Sequence, residues 1–171
     1  MALELILPKI EYERSYSEYI RELMDEERHP FPLDFEYENF PVLLKRLENL
    51  SQGIGVPDGF VPSSTFWLVD GSALVGVSNL RHYLNDRLRD HGGHIGLGIR
   101  PTSRRRGFGG LLLALTIQEA RKKGIADIHV HCHKSNLASA RTIVGAGGVL
   151  DSETQDRDSA EIIQRYRVAA A

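Results

Sequence analysis

Features that would export, anchor or cross-link the chain are missing from it. The 171 residues include one cysteine, Cys132, so no disulfide can form within the chain. The first residues, Met1-Ala2-Leu3-Glu4, lack the basic and then apolar pattern of a signal peptide. No apolar run approaches the roughly 20 residues that span a bilayer. We therefore expect a protein of a reducing, cytoplasmic compartment that has no membrane partner.

A strong excess of charge of either sign is also missing. The formal net charge is −2 and the isoelectric point is near 6.4, which argues against a surface built to bind nucleic acid. With 42% hydrophobic residues the chain is long enough to bury a core, so we expect residues 1–171 to form a single domain. No pattern sets the oligomeric state, for which a homodimer is the commonest arrangement among soluble oligomers.

The most informative stretch is a helix preceded by arginines and glycines. Residues 111–124 are typical of a helix, with apolar residues in the first turns, cations in the last turn and Gly124 at the end. The turn before it reads Arg104-Arg105-Arg106-Gly107-Phe108-Gly109-Gly110. A cation at a helix N-terminus is unfavourable by about 0.3–1 kcal/mol, and glycines there leave backbone N–H groups bare. The pattern predicts that an anion, most simply a phosphate group, binds at this turn.

Two common phosphate-binding motifs do not fit this turn. The chain has no Gly-Lys pair, which a Walker loop requires, and Leu112 stands where the dinucleotide fingerprint needs its third glycine. The spacing Arg104-x-x-Gly107-x-Gly109 instead resembles the pyrophosphate-binding motif of the GNAT superfamily of acyl-CoA N-acyltransferases, written Gln/Arg-x-x-Gly-x-Gly/Ala. A basic surface turn with flexible glycines is the alternative interpretation.

Hydrophobic periodicity predicts the order β-α-α-β-β-β-α-β-α-β-β. The predicted strands are residues 3–7, 65–69, 73–80, 94–99, 126–133, 149–150 and 161–168, and the other predicted helices are residues 13–27, 38–50 and 136–144. A GNAT domain shows the same order, so the resemblance covers nearly the whole chain, with its specific motif at about residues 94–148. It implies an α/β (α+β) fold in which a mixed, mostly antiparallel sheet of about six to seven strands is flanked by helices.

The resemblance also implies where acetyl-CoA binds as a co-substrate. Backbone amides from Arg104 to Gly110 would hold its pyrophosphate, and the strand at Leu97-Gly98-Ile99 would pair with its pantetheine amides. Glycines alternate with apolar residues in that strand, which leaves one face bare for a thin ligand. Asn136 and Ser139 match the family's Asn-x-x-Ala/Ser pattern at the next helix, although the asparagine is also a good helix N-cap.

The implied reaction moves an acetyl group from acetyl-CoA to a primary amine of a small molecule or peptide, by direct attack in a ternary complex. Many family members use a tyrosine as general acid four residues after the Ala/Ser position, where this chain has Ile143. Tyr83, His82 and Ser139 are the substitutes that the sequence offers. Because the usual acid is missing, a non-catalytic acyl-CoA-binding sensor remains the alternative function.

Histidines supply the expected general base, because imidazole titrates near neutrality. His94, at the start of the glycine-rich strand, is the first candidate, and His82, at the end of the neighbouring strand, is the second. A main-chain N–H near Leu97 or Gly98 would meet the oxyanion.

Two further patterns are ambiguous. His129, His131 and His133 share one face of a predicted strand beside Cys132, as zinc ligands do, but a sheet face covered by a helix gives the same pattern, and we expect no metal. Six carboxylates between residues 25 and 38 could receive a cationic amine, or they are solvated charges beside helix ends.

Overall fold

The computed structural model describes residues 2–170. Within that range the strands are β1 (Leu3–Ile6), β2 (Ser63–Asp70), β3 (Ala73–Arg81), β4 (Ile95–Ile99), β5 (Ile128–His133), β6 (Val149–Gln155) and β7 (Ile162–Val168). The helices are α1 (Glu13–Glu22), α2 (Phe40–Ser51), α3 (Asp86–Asp90), α4 (Phe108–Lys122) and α5 (Leu137–Gly145). Short 3-10 turns lie at Ile10–Tyr12, Phe31–Asp34 and Pro101–Ser103.

The strands form two sheets in which the paired neighbours are antiparallel. The first sheet has the order β1-β2-β3-β4, and the second has the order β5-β7-β6. The expected α/β fold, with mostly antiparallel strands flanked by helices, is confirmed. The strands divide between two sheets instead of forming one.

The division lies between β4 and β5, which touch only near the point where both begin. The His94 N–H donates to the His129 carbonyl oxygen at 2.8 Å, and an isolated bridge joins Gly93 to Val130. Gly93 has a φ of +63°, and a Cβ on it would press against the His129 carbonyl, so this contact requires glycine. Beyond it no ladder within residues 2–170 joins the two strands, and a cleft opens between them.

Three hydrophobic cores hold the elements of residues 2–170 together, of which two are large. One lies between the first sheet and helices α1 and α2, around the fully buried Trp67. The other packs Leu113 and Ile117 of α4 against Leu80 of β3 and Val130 of β5, and so fixes α4 beside the cleft. Among residues 2–170, no helix is both long and apolar enough to cross a membrane.

Helix α1 is shorter than the sequence predicts, and this shapes the cleft. It ends at Glu22 instead of continuing to Glu27, because Met24 takes a left-handed conformation with a φ of +49°. Met24 is 83% exposed, although its helical spacing from Tyr16 and Ile20 had predicted that it would share their apolar face. The chain that follows runs on to His29, which lines the cleft.

Three polar segments also differ from the prediction. The expected connection at residues 85–91 contains α3, which Asn85 caps by accepting the Leu88 N–H at 2.9 Å. Strand β6 continues through residues 151–155, which the sequence placed between two strands. The prediction missed this part because polar side chains on both faces of β6 give no period-two signal. The hairpin between β2 and β3 turns at Gly71-Ser72, one residue later than the Asp70-Gly71 pair that is typical of a two-residue turn.

Candidate functional site

The cleft between β4 and β5 has a volume of about 1050 Å³. It is walled by β4, the turn leading into α4, β5 and the start of α5, and α1 with the segment after it contributes Tyr19, Glu27 and His29. Most residues expected to bind acetyl-CoA line it: Leu97, Gly98, Ile99, Arg104, Arg105, Gly107, Phe108, Gly109, Gly110, Asn136 and Ser139. The side chain of Arg106, in the same turn, does not.

The outer edge of β4 offers main-chain groups to this cleft. On the inner edge, the Arg81 N–H donates to the His94 carbonyl at 2.7 Å, and the Arg100 N–H donates to the Val75 carbonyl at 2.9 Å. Because residues alternate along an antiparallel strand, the main chain of Leu97 faces the outer edge. That edge has no ladder partner within residues 2–170, so Leu97 presents an N–H and a carbonyl to the cleft.

The glycine-bare face of β4 is occupied by other parts of the chain. A Cβ on Gly98 would collide with the His29 carbonyl oxygen and lie 3.3 Å from the Tyr19 hydroxyl. A Cβ on Gly96 would lie 3.2 Å from His29 Nε2. The glycines thus admit His29 and Tyr19, and the part of β4 that is open to a ligand is its edge.

The start of α4 carries N–H groups without acceptors. The helix begins at Phe108, with Gly107 at its N-cap in a left-handed conformation, no side-chain cap and no acidic residue in its first turn. No carbonyl or carboxylate within residues 2–170 accepts from the N–H groups of Phe108, Gly109 and Gly110. A Cβ on Gly110 would meet no atom within 4 Å, so this glycine leaves open space at a helix N-terminus suited to an anion.

The three arginines of the turn differ in what they contact. Arg104 forms a two-point ion pair with Glu26, at 2.7 and 3.1 Å, and its Nε donates to the Ile99 carbonyl at 3.1 Å. Arg106 lies over the Phe108 ring, 4.6 Å from its centroid. Arg105 has a φ of +61° and makes no ion pair with residues 2–170, so it is the cation most available to a ligand.

Helix α5 contributes the Asn136 pattern and lacks the family's usual acid. Asn136 Oδ1 accepts the Ser139 N–H at 3.1 Å and so caps the helix, while its amide nitrogen has no acceptor within residues 2–170, and Asn136 lines the cleft. Ile143 is 3% exposed and packs in the core. Its side chain has no proton to donate, as the sequence indicated.

Residues 18–144 match the family model of the GNAT acetyltransferases. The chain belongs to this family. It is therefore an acyl-CoA-dependent N-acetyltransferase by family, and its cleft lies within the matched region. No curated protein matches the sequence significantly.

Solved structures share the GNAT fold at low sequence identity. A ribosomal-protein-alanine acetyltransferase from Vibrio fischeri superposes with a TM-score of 0.72 at 14% identity, over 99% of this chain and 93% of that one. A putative acetyltransferase from Salmonella typhimurium, solved with its cofactor acetyl-CoA, superposes with a TM-score of 0.67 at 13% identity, over 100% of this chain and 95% of that one. A spermidine N-acetyltransferase chimera from Vibrio cholerae and hSSAT superposes with a TM-score of 0.65 at 17% identity, over 99% of this chain and 96% of that one.

The buried hydroxyl of Tyr19 is a polar group of this GNAT cleft that the sequence did not reveal. The side chain is 1% exposed, lines the cleft, and its hydroxyl has no hydrogen-bond partner within residues 2–170. Burial raises the pKa of Tyr19 well above its usual value, so the hydroxyl keeps its proton. The helical spacing of Tyr16, Tyr19 and Ile20 predicts a buried face, which is correct for the Tyr19 ring but does not predict where its hydroxyl points.

Three of the four histidines that line the cleft within residues 2–170 differ in how their rings are held. The His29 ring makes no hydrogen bond within residues 2–170 and opens into the cleft, where desolvation and the charge of Arg81 lower its pKa. His131 Nδ1 lies 3.3 Å from the His91 carbonyl, and burial lowers its pKa to about 4. His133 lies between two carboxylates, Asp156 at 3.1 Å and Glu161 at 3.2 Å. His131 Nε2 also has no hydrogen-bond partner within residues 2–170, but it is buried, whereas the His29 residue is exposed at the cleft, where its ring can meet a substrate as a neutral base.

The residues predicted as catalytic do not line the cleft. His94 is 5% exposed, and its Nδ1 accepts the His129 N–H at 2.9 Å. His82 Nε2 lies 2.8 Å from the Ser64 hydroxyl, and Tyr83 is exposed beyond the end of β3. Their catalytic roles stay predictions, and these surroundings favour structural roles.

The buried His94 makes the stability of the fold sensitive to acid. Burial lowers its pKa from 6.5 to about 4, so between these values the unfolded chain binds more protons than the folded one, and stability falls as the pH is lowered. From pH 7 to pH 5 this costs about 2 kcal/mol. In His94→Asn, the asparagine oxygen can still accept the His129 N–H. Urea unfolding of this variant should show a smaller fall in the free energy of unfolding between pH 7 and pH 5. Equal losses in both proteins would contradict this role.

The other ambiguous patterns have structural explanations. Within residues 2–170 no three His, Cys, Asp or Glu side chains are placed to hold a metal ion. Cys132 is half-buried, and burial raises the pKa of its thiol. Of the carboxylates between residues 25 and 38, Glu26 and Glu27 line the cleft, and Glu26 is paired with Arg104.

Proposed function

We propose that the cleft binds acetyl-CoA and that the protein, as one domain, transfers the acetyl group to a primary amine held in the same cleft. One observation carries the proposal: the bare N–H groups at the start of α4 and the unpaired edge of β4 line one cleft. The N–H groups suit a diphosphate, and the strand edge suits an arm that contains amides. Acetyl-CoA has both of these parts.

The residues of the cleft fit this ligand part by part. The N–H groups of Phe108, Gly109 and Gly110, with the Arg105 guanidinium, would hold the diphosphate. The Leu97 carbonyl would accept a hydrogen bond from an amide N–H of the arm that follows it, beside the amide nitrogen of Asn136. When bound, acetyl-CoA supplies a thioester that an amine can attack.

Two groups of the chain are placed to handle charge and protons during transfer. The Leu97 N–H donates to the thioester oxygen as negative charge develops on it. His29 takes a proton from the attacking amine at Nε2, which points along β4 toward Gly96. The amine attacks in its neutral form, and the proton that it loses as the new C–N bond forms passes to this nitrogen.

The Tyr19 hydroxyl takes part as a hydrogen-bond donor and not as a full acid. A free thiol has a pKa of about 8.5, well below that of the buried phenol, so complete proton transfer to a departing thiolate would be uphill. Donation of a hydrogen bond to the thiolate has no such cost. We propose that Tyr19 stabilises the leaving group in this way, in place of the tyrosine that Ile143 replaces.

Replacement of Tyr19 by phenylalanine tests this role. Loss of one hydrogen bond to a charged group is worth about 1.5–3 kcal/mol, so kcat should fall about ten- to hundredfold while the Kd for acetyl-CoA changes little. Tyr16→Phe is the matched control, since Tyr16 is equally buried on α1 and does not line the cleft. Equal effects of the two changes on kcat would show that the Tyr19 hydroxyl has no specific part.

The decisive experiment separates transfer from binding alone. Release of CoA from acetyl-CoA is measured with a panel of polyamines, amino acids and peptides, alongside calorimetry of acetyl-CoA binding. Turnover with an amine supports an acetyltransferase, and saturable binding with no turnover would support the acyl-CoA sensor instead. A folded protein that ignores acetyl-CoA would overturn the assignment of the cleft.

A further inference from the structure

A second pocket of about 190 Å³ adjoins the cleft, because His91 and Gly92 line both. It is otherwise lined by two arginines, by aromatic rings and by aliphatic residues: Phe31, Gly59, Phe60, Val61, Arg81, Arg87 and Leu88. The transfer steps proposed above use none of these side chains. The lining of this pocket therefore suits a ligand group other than the parts of acetyl-CoA assigned above.

Arg81 is a half-buried cation that lacks a carboxylate partner. Its Nη1 donates to the carbonyl oxygens of Gly92 at 3.2 Å and Gly93 at 3.0 Å, which fixes the guanidinium at the junction of the two cavities. Desolvation and the neighbouring charge of Arg87 lower the pKa of Arg81 to about 10. No carboxylate within residues 2–170 forms an ion pair with either arginine. Burial of an unpaired charge is costly, so the pocket favours an anion.

The walls of the pocket show what kind of anion fits. The Phe31 and Phe60 rings pack 5.2 Å apart, and the Arg87 guanidinium lies 5.6 Å from the centroid of Phe60. Arginine binds a carboxylate with two parallel hydrogen bonds, while the rings and Leu88 offer apolar surface. A carboxylate attached to an apolar group matches both features.

The pocket is also close to the group that we assign as the base. Phe31 follows His29 by two residues, and the charge of Arg81 is near enough to act on the His29 ring. A ligand with its anionic end between the arginines can therefore extend an amine toward His29 and the cleft.

We propose that the acceptor is an α-amino acid with an apolar side chain, whose carboxylate is bound by Arg81 and Arg87. The Phe31 and Phe60 rings hold its side chain, and its amine enters the cleft beside His29. This inference rests on the proposed acetyl transfer and narrows its acceptor. It also replaces the cationic acceptor that the acidic segment allowed, since Arg81 and Arg87 would repel such a molecule.

Matched acceptors test the carboxylate directly. Phenylalanine, leucine and methionine are each compared with their amides and with the corresponding amines that lack the carboxyl group, by kcat/KM for CoA release. We expect the acids to be preferred by about ten- to hundredfold, the effect of a hydrogen-bonded charge. Arg87→Gln should remove this preference, and Arg87→Lys should restore part of it. Arg87 is exposed and caps no other element, so these variants should fold.

Calorimetry gives a readout that needs no turnover. Phenylalanine is titrated into the protein saturated with CoA, and its binding should weaken about tenfold or more in Arg87→Gln, while binding of the amide stays the same. Acids and amides used equally by both proteins would overturn the carboxylate site and leave acetyl transfer intact. Binding of CoA without binding of any amino acid would also overturn the carboxylate site and leave acetyl transfer intact. Failure to bind CoA at all would instead defeat the proposed function.

Discussion

Gly109→Asp should abolish acetyl-CoA binding without unfolding the protein. Gly109 lies in the first turn of α4. There the carboxylate of the new aspartate would lie beside the bare N–H groups and repel the diphosphate. Two unit charges about 4 Å apart repel by about 4 kcal/mol at an effective dielectric constant of 20, so the Kd should rise by about a thousandfold. The same carboxylate is favourable at a helix N-terminus, so the melting temperature should stay level or rise. Calorimetry and thermal unfolding measure the two effects.

Gly109→Asn is the matched control for this change. Asparagine has nearly the same size and can occupy the same position, but it carries no charge. A Cβ at this position would lie 3.8 Å from Ile99 and Thr142, an ordinary contact, so neither variant should be strained. We expect the asparagine variant to bind far more tightly than the aspartate variant. If Gly109→Asp binds acetyl-CoA as the unchanged protein does, the diphosphate is not held at this turn.

His29→Gln should lower kcat/KM for the acceptor by about a hundredfold or more, the usual contribution of a general base. Glutamine retains a polar side chain of similar reach but does not titrate in this range. Acetyl-CoA binding should be little changed, because the turn and the Leu97 edge are untouched. Steady-state kinetics with the best acceptor, together with calorimetry of acetyl-CoA, provide this comparison.

The pH profile identifies the histidine more sharply than the rate alone. An amine acceptor must lose a proton, so log kcat/KM rises with pH with a slope of 1 below the amine pKa. Neutral His29 is also required, so the slope should increase to 2 once the pH falls below the lowered pKa of His29, under its ordinary value of 6.5. His29→Gln should keep a slope of 1 throughout. A loss of activity confined to His94→Asn or His82→Gln would favour the base predicted from sequence instead.

Local signals in the sequence were enough to predict the turn and helix that form one end of the site. The conflict between arginines and a helix N-terminus, and the glycines around Phe108, depend on residues adjacent in the chain. The same is true of Asn136, which caps α5 as predicted. Six of the seven strands within residues 2–170 and most helix bounds also followed from periodicity. Most of β6 did not, since both of its faces are polar.

The groups proposed to act on the substrate come from far along the chain and could not be predicted in this way. His29 and Tyr19 reach β4 across about 70 residues of sequence, and only packing on Gly96 and Gly98 brings them there. His94 illustrates the converse, because it lies directly before β4, close to where the sequence placed it, but its ring turns toward His129. Side-chain direction is set by tertiary contacts, which periodicity does not encode.

The ion pair between Arg104 and Glu26 reduces the net charge that the turn presents to a bound molecule. Three consecutive arginines in the sequence would give a strong, undirected field, yet Arg104 is already neutralised by a neighbour. In the proposed complex, attraction is therefore left to the Arg105 guanidinium and to the oriented N–H dipoles of α4, and the dipoles act over a shorter range than the Debye length of about 8 Å at physiological ionic strength. Ordinary salt then screens the interaction weakly, and shape discriminates between ligands more than their total charge does.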